Sequence, residues 1–204
     1  MSPTPDYFDR YENFALTRSE SGVLTLRFHT SGGPVTFTGT THSDFPRLLE
    51  DIAFDRGNQV LVITGAGDSF MTKIDGASLG DITKPMASDI TYMEGRRIPQ
   101  RLADLWEEAL GINRARYYTL TQGSFTAAEA KQWGAVSEVL PQERVLARAQ
   151  ELAESLAANP QLLTRYLAVT LRQRISRRMA EGTALGMALE GLTAANLAYL
   201  PQSQ

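Results

Sequence analysis

In a chain of 204 residues with no cysteine and two histidines, few side chains can exchange a proton near neutral pH. His42 stands in Thr40-Thr41-His42-Ser43-Asp44, just ahead of a helical pattern. An imidazole there can act as a general base or can help to cap the helix. His29 follows an alternating, strand-like stretch and is the weaker of the two as a catalytic group. Asp75 reads as the anchor of a following helical turn. Glu190, in Met187-Ala-Leu-Glu-Gly-Leu192, has the default place of a solvated helix glutamate. Arg114 and Arg116 read as ion-pair partners on a helix, and Arg172, Arg174, Arg177 and Arg178 as a solvated or inter-subunit helix face. Other chemistries lack their parts. The absence of cysteine removes thiolates, disulfides and Cys-based zinc sites, and fits a reducing compartment. There is no P-loop, Gly65-Ala-Gly67 lacks the third glycine of a dinucleotide fingerprint, Ser69 sits in no nucleophile elbow, and no metal-ligand cluster is visible.

The elements that must position these residues fit one domain with a sizeable core, at 43% hydrophobic and 21% charged residues. A net charge of −3 argues against a nucleic-acid partner, which requires a basic surface. No apolar run approaches the roughly 20 residues of a membrane span, and the polar start with Pro3 and Pro5 does not resemble a signal peptide. A cytoplasmic protein without a membrane partner is expected.

Phe14–Arg18 and Val23–Phe28 alternate around a Ser21-Gly22 turn and predict a β-hairpin. Ser31-Gly-Gly-Pro34 breaks the chain before a short strand, Val35–Thr38. Thr40 to Asp44 supplies capping side chains for a helix from Phe45 to Asp55. Gln59–Thr64 is an apolar run expected to be a strand covered on both faces, and the strand–helix–strand order predicts a parallel pair. Helices are expected from Asp89 to about Gly111, at Asn113–Leu120, from the Thr126 cap to Trp133 with Gly134 as the stop, and at Glu143–Ala158, Pro160–Arg172 and Ser176–Tyr199. Val136–Leu140 is expected to be extended. No further strand is visible between Thr64 and Trp133, which leaves a two-layer α/β fold short of strands.

Thr119-Leu-Thr-Gln-Gly-Ser-Phe-Thr-Ala-Ala-Glu-Ala-Lys-Gln-Trp-Gly-Ala-Val-Ser-Glu-Val-Leu-Pro141 resembles the segment that leads into the C-terminal helices of the crotonase (enoyl-CoA hydratase/isomerase) superfamily. Val60-Leu-Val-Ile-Thr-Gly65, with Asp68-Ser-Phe70 and Asp75, is similar to that family's first oxyanion-hole segment. Tyr11-Glu-Asn, Phe37-Thr-x-Thr-x-His42, Met93-Glu-Gly and Gly111-x-Asn-Arg-x-Arg-Tyr117 look most like its 6-oxocamphor hydrolase and β-diketone hydrolase branch. The resemblance implies a crotonase-like α/β fold (a β-β-α superhelix), with the core in residues 1–105 and a C-terminal helical trimerisation region in 106–204. It also marks a gap. Gln100-Arg-Leu-Ala-Asp-Leu105 runs directly into Trp106, which resembles a point far downstream. On the order of fifty residues are missing, enough for several strands at ~3.3 Å per residue.

That branch cleaves the carbon–carbon bond of cyclic 1,3-diketones by a retro-Claisen route, with no metal and no CoA. The resemblance therefore implies a small ketone as substrate, no cofactor, and a homotrimer or a dimer of trimers. It implies His42 as an active-site histidine, the backbone N–H of Ile74 as the first oxyanion donor, Phe37 as an aromatic wall of the substrate pocket, and Glu190 as a carboxylate reaching the site. The reaction needs a base for water, donors for the oxyanion, and an acid for the carbanion carbon. The missing segment holds the second donor and the loops beyond it. An inactive or impaired relative that keeps only scaffold and contacts is thus the competing expectation. Removal of central strands is also expected to expose the surviving sheet or to draw the helix after Asp89 into the vacancy. A CoA-thioester hydratase is disfavoured, because Lys73 stands where those enzymes carry glycine.

Overall fold

The computed structural model describes residues 4–79, 109–121, 123–174 and 176–177. Two compact units divide the chain, Met1–Asp81 with Gln142–Ala168 and Ile82–Pro141 with Val169–Gln204. The expected helix after Asp89, the segment around Leu105 and Glu190 all lie outside the described residues.

In the first unit, Phe14–Arg18 (β1) and Val23–Phe28 (β2) form the antiparallel hairpin that their alternation predicts, with Phe14 opposite Phe28. Gly22 at φ +85° makes the turn, and a Cβ there would run into the Gly57 carbonyl and the Gln59 side chain. Val35–Phe37 (β3) follows a tight turn in which Thr30 and Gly33 exchange both backbone bonds. Ser31 and Gly32 hold positive φ within it, as a type I′ turn requires.

Gly39–Phe54 (α1) begins six residues before the expected Phe45. The cap is Thr38, whose side chain accepts the Thr41 N–H, so the run from Thr40 to Asp44 forms the first turns instead of preceding them. Pro46 lies inside α1 and has no N–H to offer the His42 carbonyl four residues back.

Val60–Gly65 (β4) pairs in parallel with β2, as the strand–helix–strand order predicts. β2 is therefore the middle of three strands, and its side chains are buried on both faces. Leu24, Leu26 and Phe28 meet Leu48 and Ile52 of α1, while Val23 meets Val62 and Ala153 of the helix Gln142–Ala157 on the other face. Phe14, Phe28 and Phe45 lock the first face, with Phe14–Phe28 centroids 4.9 Å apart and edge to face. β4 is not covered on both faces as expected. Among the described residues it is the last strand of its sheet, and Ile63 is 45% exposed.

Met71–Ile74 (β5) is a strand that the sequence pattern did not reveal. It pairs in parallel with β3, and all four residues are exposed, so no alternation of burial marks it. Ile63, Phe70, Met71 and Ile74 are exposed apolar side chains on or beside these two strands.

In the second unit, Ile112–Thr121 (α2) and Ala127–Gln132 (α3) form as expected. Thr126 and Glu129 complete a reciprocal capping box, and Gly134 ends the motif at φ +78°. Tyr118, Phe125 and Trp133 cluster with centroids 5.2–5.6 Å apart. Arg114 lies 5.2 Å over the Trp133 ring and donates to the Leu110 carbonyl; among the described residues this replaces the expected ion pair. No strand forms over Val136–Leu140, where both Val136 and Val139 are exposed. Gln142–Ala157 (α4), which belongs to the first unit, matches the expected helix, and the backbone is again helical over 161–174.

Candidate active site at the end of the small sheet

Of His42, Glu190, Ile74 and Phe37, all but Glu190 lie in the described part of the first unit, with Phe37 beside each of the other two. β3 leads through Thr38 into α1, which puts Phe37 at the end of a strand and His42 in the first turns of the helix. Their rings meet edge to face, 5.9 Å between centroids at 83°. His42 is 9% exposed and its N–H bonds the Thr38 carbonyl at 2.9 Å, so strand end and helix start are joined at the backbone.

Ile74 stands opposite Phe37 in the parallel β3–β5 pair. The Phe37 carbonyl accepts the N–H of Asp75 at 2.8 Å. In such a ladder Phe37 directs its N–H and carbonyl to β5, and Ile74 directs its own pair to the side away from β3. The Ile74 amide is thus spared from the β3 ladder. Its side chain is 69% exposed, so no packing constraint dictates isoleucine there.

Asp75 acts through its backbone. Its carbonyl accepts both the N–H and the hydroxyl of Ser78, at 3.2 and 2.7 Å, and so starts the 3-10 turn Gly76–Leu79. The anchoring role read from the sequence is met by main chain. Ser78 Oγ also accepts the N–H of Gly39 at 3.0 Å, so the segment after β5 is pinned to the first residue of α1. A Cβ on Gly39 would run into the Ser78 carbonyl. His29 lies apart from this arrangement, its Nδ1 facing the Gly32 N–H at 3.4 Å within the β2–β3 turn.

A charged network lies elsewhere in the first unit. Asp55 takes Arg18 at 2.6 Å, Tyr7 at 2.9 Å and the Gly57 N–H at 2.8 Å. Burial pushes the Asp55 carboxyl upward, but the Gly57 N–H, the Tyr7 hydroxyl and the Arg18 guanidinium outweigh it and hold the group below its ordinary range. Burial also raises the Tyr7 phenol. This network fixes the end of α1 to β1 and is structural. An open groove of about 770 Å³ beside it, bordered by Thr4, Phe8, Leu16, Arg18, Glu20 and Gly57, contains none of the candidate residues. Among the described residues no helix is long and apolar enough to cross a membrane, and no three His, Asp or Glu side chains are grouped to hold a metal ion.

Gly39 and Ser78 carry no signal in the sequence, and Asn13, Thr38 and Thr41 enter it only as members of longer motifs. The one local signal was the spacing of Thr38 and Thr41, which suits a capping residue and its N3 amide.

The model of the enoyl-CoA hydratase/isomerase family matches residues 94–196. Among solved structures, a β-diketone hydrolase from the cyanobacterium Anabaena, bound to (S)-3-oxocyclohexyl acetic acid, is 37% identical, with a TM-score of 0.90 over 96% of this chain and 99% of that one. An enoyl-CoA hydratase/isomerase from Mycobacterium paratuberculosis shares the fold at a TM-score of 0.79 and 17% identity, over 90% of this chain and 94% of that one. A probable peroxisomal enoyl-CoA hydratase of Arabidopsis thaliana is 23% identical over 201 positions, which take in 74% of this chain and 75% of that protein. Because 74% of 204 residues is about 151, about fifty of those positions face no residue here, the size of the gap expected near Leu105.

Proposed function

The chain belongs to the enoyl-CoA hydratase/isomerase family, and from that premise we propose that it hydrolyses the carbon–carbon bond between the two carbonyls of a cyclic 1,3-diketone. The reading is carried by the convergence of Phe37, His42 and Ile74 at one sheet end in a chain so similar to a β-diketone hydrolase. His42 takes a proton from water, and the hydroxide oxygen bonds to one carbonyl carbon. The oxygen that becomes negative is held by the Ile74 N–H. When the carbonyl re-forms, the bond to the central carbon breaks and its electron pair passes to the second ketone as an enolate. The proton that His42 took from water is returned to that carbon, which completes a keto acid, and Glu190 is the carboxylate proposed to reach the site. One water is added, and nothing is oxidised or reduced. Phe37 provides an apolar wall for the ring, and Lys73 beside Ile74 speaks against a CoA thioester.

A second reading has its own observation. The fifty-odd positions absent from the chain favour a relative that keeps the fold without turnover. Hydrolysis of a bicyclic 1,3-diketone, followed by loss of its ultraviolet enol absorbance, separates the two. Turnover by the wild type that drops about a hundredfold or more in His42→Ala supports the hydrolase. Rates equal to buffer for a folded wild type leave the scaffold. The proposed assembly is a homotrimer or a dimer of trimers, supported by the exposed apolar side chains Leu162, Leu163, Tyr166 and Leu167.

A further inference from the structure

Thr41 is 0% exposed, a hydroxyl wholly inside the protein one residue before His42. A buried hydroxyl is costly unless its proton and lone pairs are used, and here a short chain of bonds uses them. The Thr41 N–H donates to Thr38 Oγ1 at 3.2 Å. The two hydroxyl oxygens lie 3.1 Å apart, and Thr41 Oγ1 donates to Asn13 Oδ1 at 3.5 Å, a long bond. The arrangement that gives every proton an acceptor has Thr38 donating to Thr41 and Thr41 donating to Asn13. Asn13 is itself held at the end of the β1–β2 hairpin. Its Nδ2 donates to the His29 carbonyl at 3.1 Å, and its own carbonyl accepts the His29 N–H at 3.0 Å. The chain Asn13–Thr41–Thr38 therefore ties the first turn of α1 to the rigid hairpin. Phe37 immediately precedes Thr38, and the Thr38 carbonyl accepts the His42 N–H.

We infer that Thr41, anchored by Asn13, is a positioning residue that sets the His42 imidazole against the Phe37 ring through the shared capping residue Thr38. The catalytic meaning of that position rests on the proposed hydrolase reading; the positioning itself does not. Serine keeps the hydroxyl that the role needs, whereas valine keeps the volume and loses it.

The test uses the whole chain with ring-labelled histidine. Two histidines give two sets of imidazole signals, and His29→Gln identifies those of His42. Phe37→Leu marks where the His42 ring protons resonate once the neighbouring ring current is gone. Thr41→Val and Asn13→Ala are expected to move them toward that position, and Thr41→Ser to leave them at the wild-type position. In turnover, Thr41→Val is expected to lower kcat about tenfold with KM within about twofold, the mark of a displaced rather than a missing group. If Thr41→Val does not fold, Asn13→Ala breaks the same chain at a half-buried loop position and decides alone. His42 signals that coincide with wild type in every folded variant lacking the Thr41–Asn13 bond overturn the inference. If the signals move but His42→Ala leaves turnover intact, positioning stands and the catalytic assignment of His42 falls.

Discussion

Phe37 and Ile74 face each other across a parallel pair in which Phe37 commits its backbone to β5 and Ile74 directs its own away from β3. This relationship makes a backbone donor testable by mutation. Ile74→Ala and Ile74→Val keep the N–H and should leave the rate within about threefold, because the side chain is exposed. Ile74→Pro removes the N–H without breaking a ladder bond to β3, and loss of one oxyanion donor should lower kcat about 10²–10³-fold. Steady-state kinetics beside circular dichroism checks this; an Ile74→Pro protein as active as wild type would exclude the amide from the oxyanion site.

Gly39→Ala tests the pin between α1 and the segment after β5. Its Cβ meets the Ser78 carbonyl, so that turn must shift, and Ile74 with it. Overpacking of this kind should lower stability by about 1–3 kcal/mol in urea unfolding, and activity should fall further than the folded fraction explains. Ser78→Ala, which removes the hydroxyl bonds but adds no atom, should be milder in both.

How much of this was legible in the sequence depends on the range of the signal. β1, β2 and β4 announced themselves because their side chains alternate or are apolar throughout, and α3 because Thr126, Glu129 and Gly134 spell out its start and stop. β5 gave no such signal, since Met71 to Ile74 are all exposed and its partner β3 lies far back in the chain. The start of α1 was misplaced for a related reason. Thr41 and His42 face inward while being polar, so an apolar template passes over them. The grouping of Phe37, His42 and Ile74 came from family resemblance, because a parallel pairing between distant strands leaves no local mark.

Asp55 predicts an acid limb of stability. Its carboxyl is held below its ordinary value, 3.8, so the folded state favours the charged form. That contribution is complete above the unfolded-chain value and is lost as pH falls from there through the depressed folded value. Asp55→Asn should flatten this limb and lower stability near neutral pH by about 2–3 kcal/mol, since Arg18 and Tyr7 lose a charged acceptor at a half-buried site. Thermal melts across the acid range measure both. A limb of unchanged steepness in Asp55→Asn would assign it to other carboxylates.

Exposed Leu163 and Leu167 predict self-association. Sedimentation should find a trimer or hexamer for wild type, and Leu163→Glu with Leu167→Glu should shift it toward monomer. A wild-type monomer at tens of micromolar would remove the proposed assembly.

Pro46 has a consequence for what holds the first turn of α1. Each turn of a helix is normally stitched to the next by bonds from residue to residue, and at His42 the stitch from four residues on is missing. The first turn, with Thr38, Thr41 and the imidazole, is therefore joined to the rest of α1 by one backbone bond fewer than a regular helix supplies, and more of its hold falls on the Thr38–Thr41–Asn13 bonds.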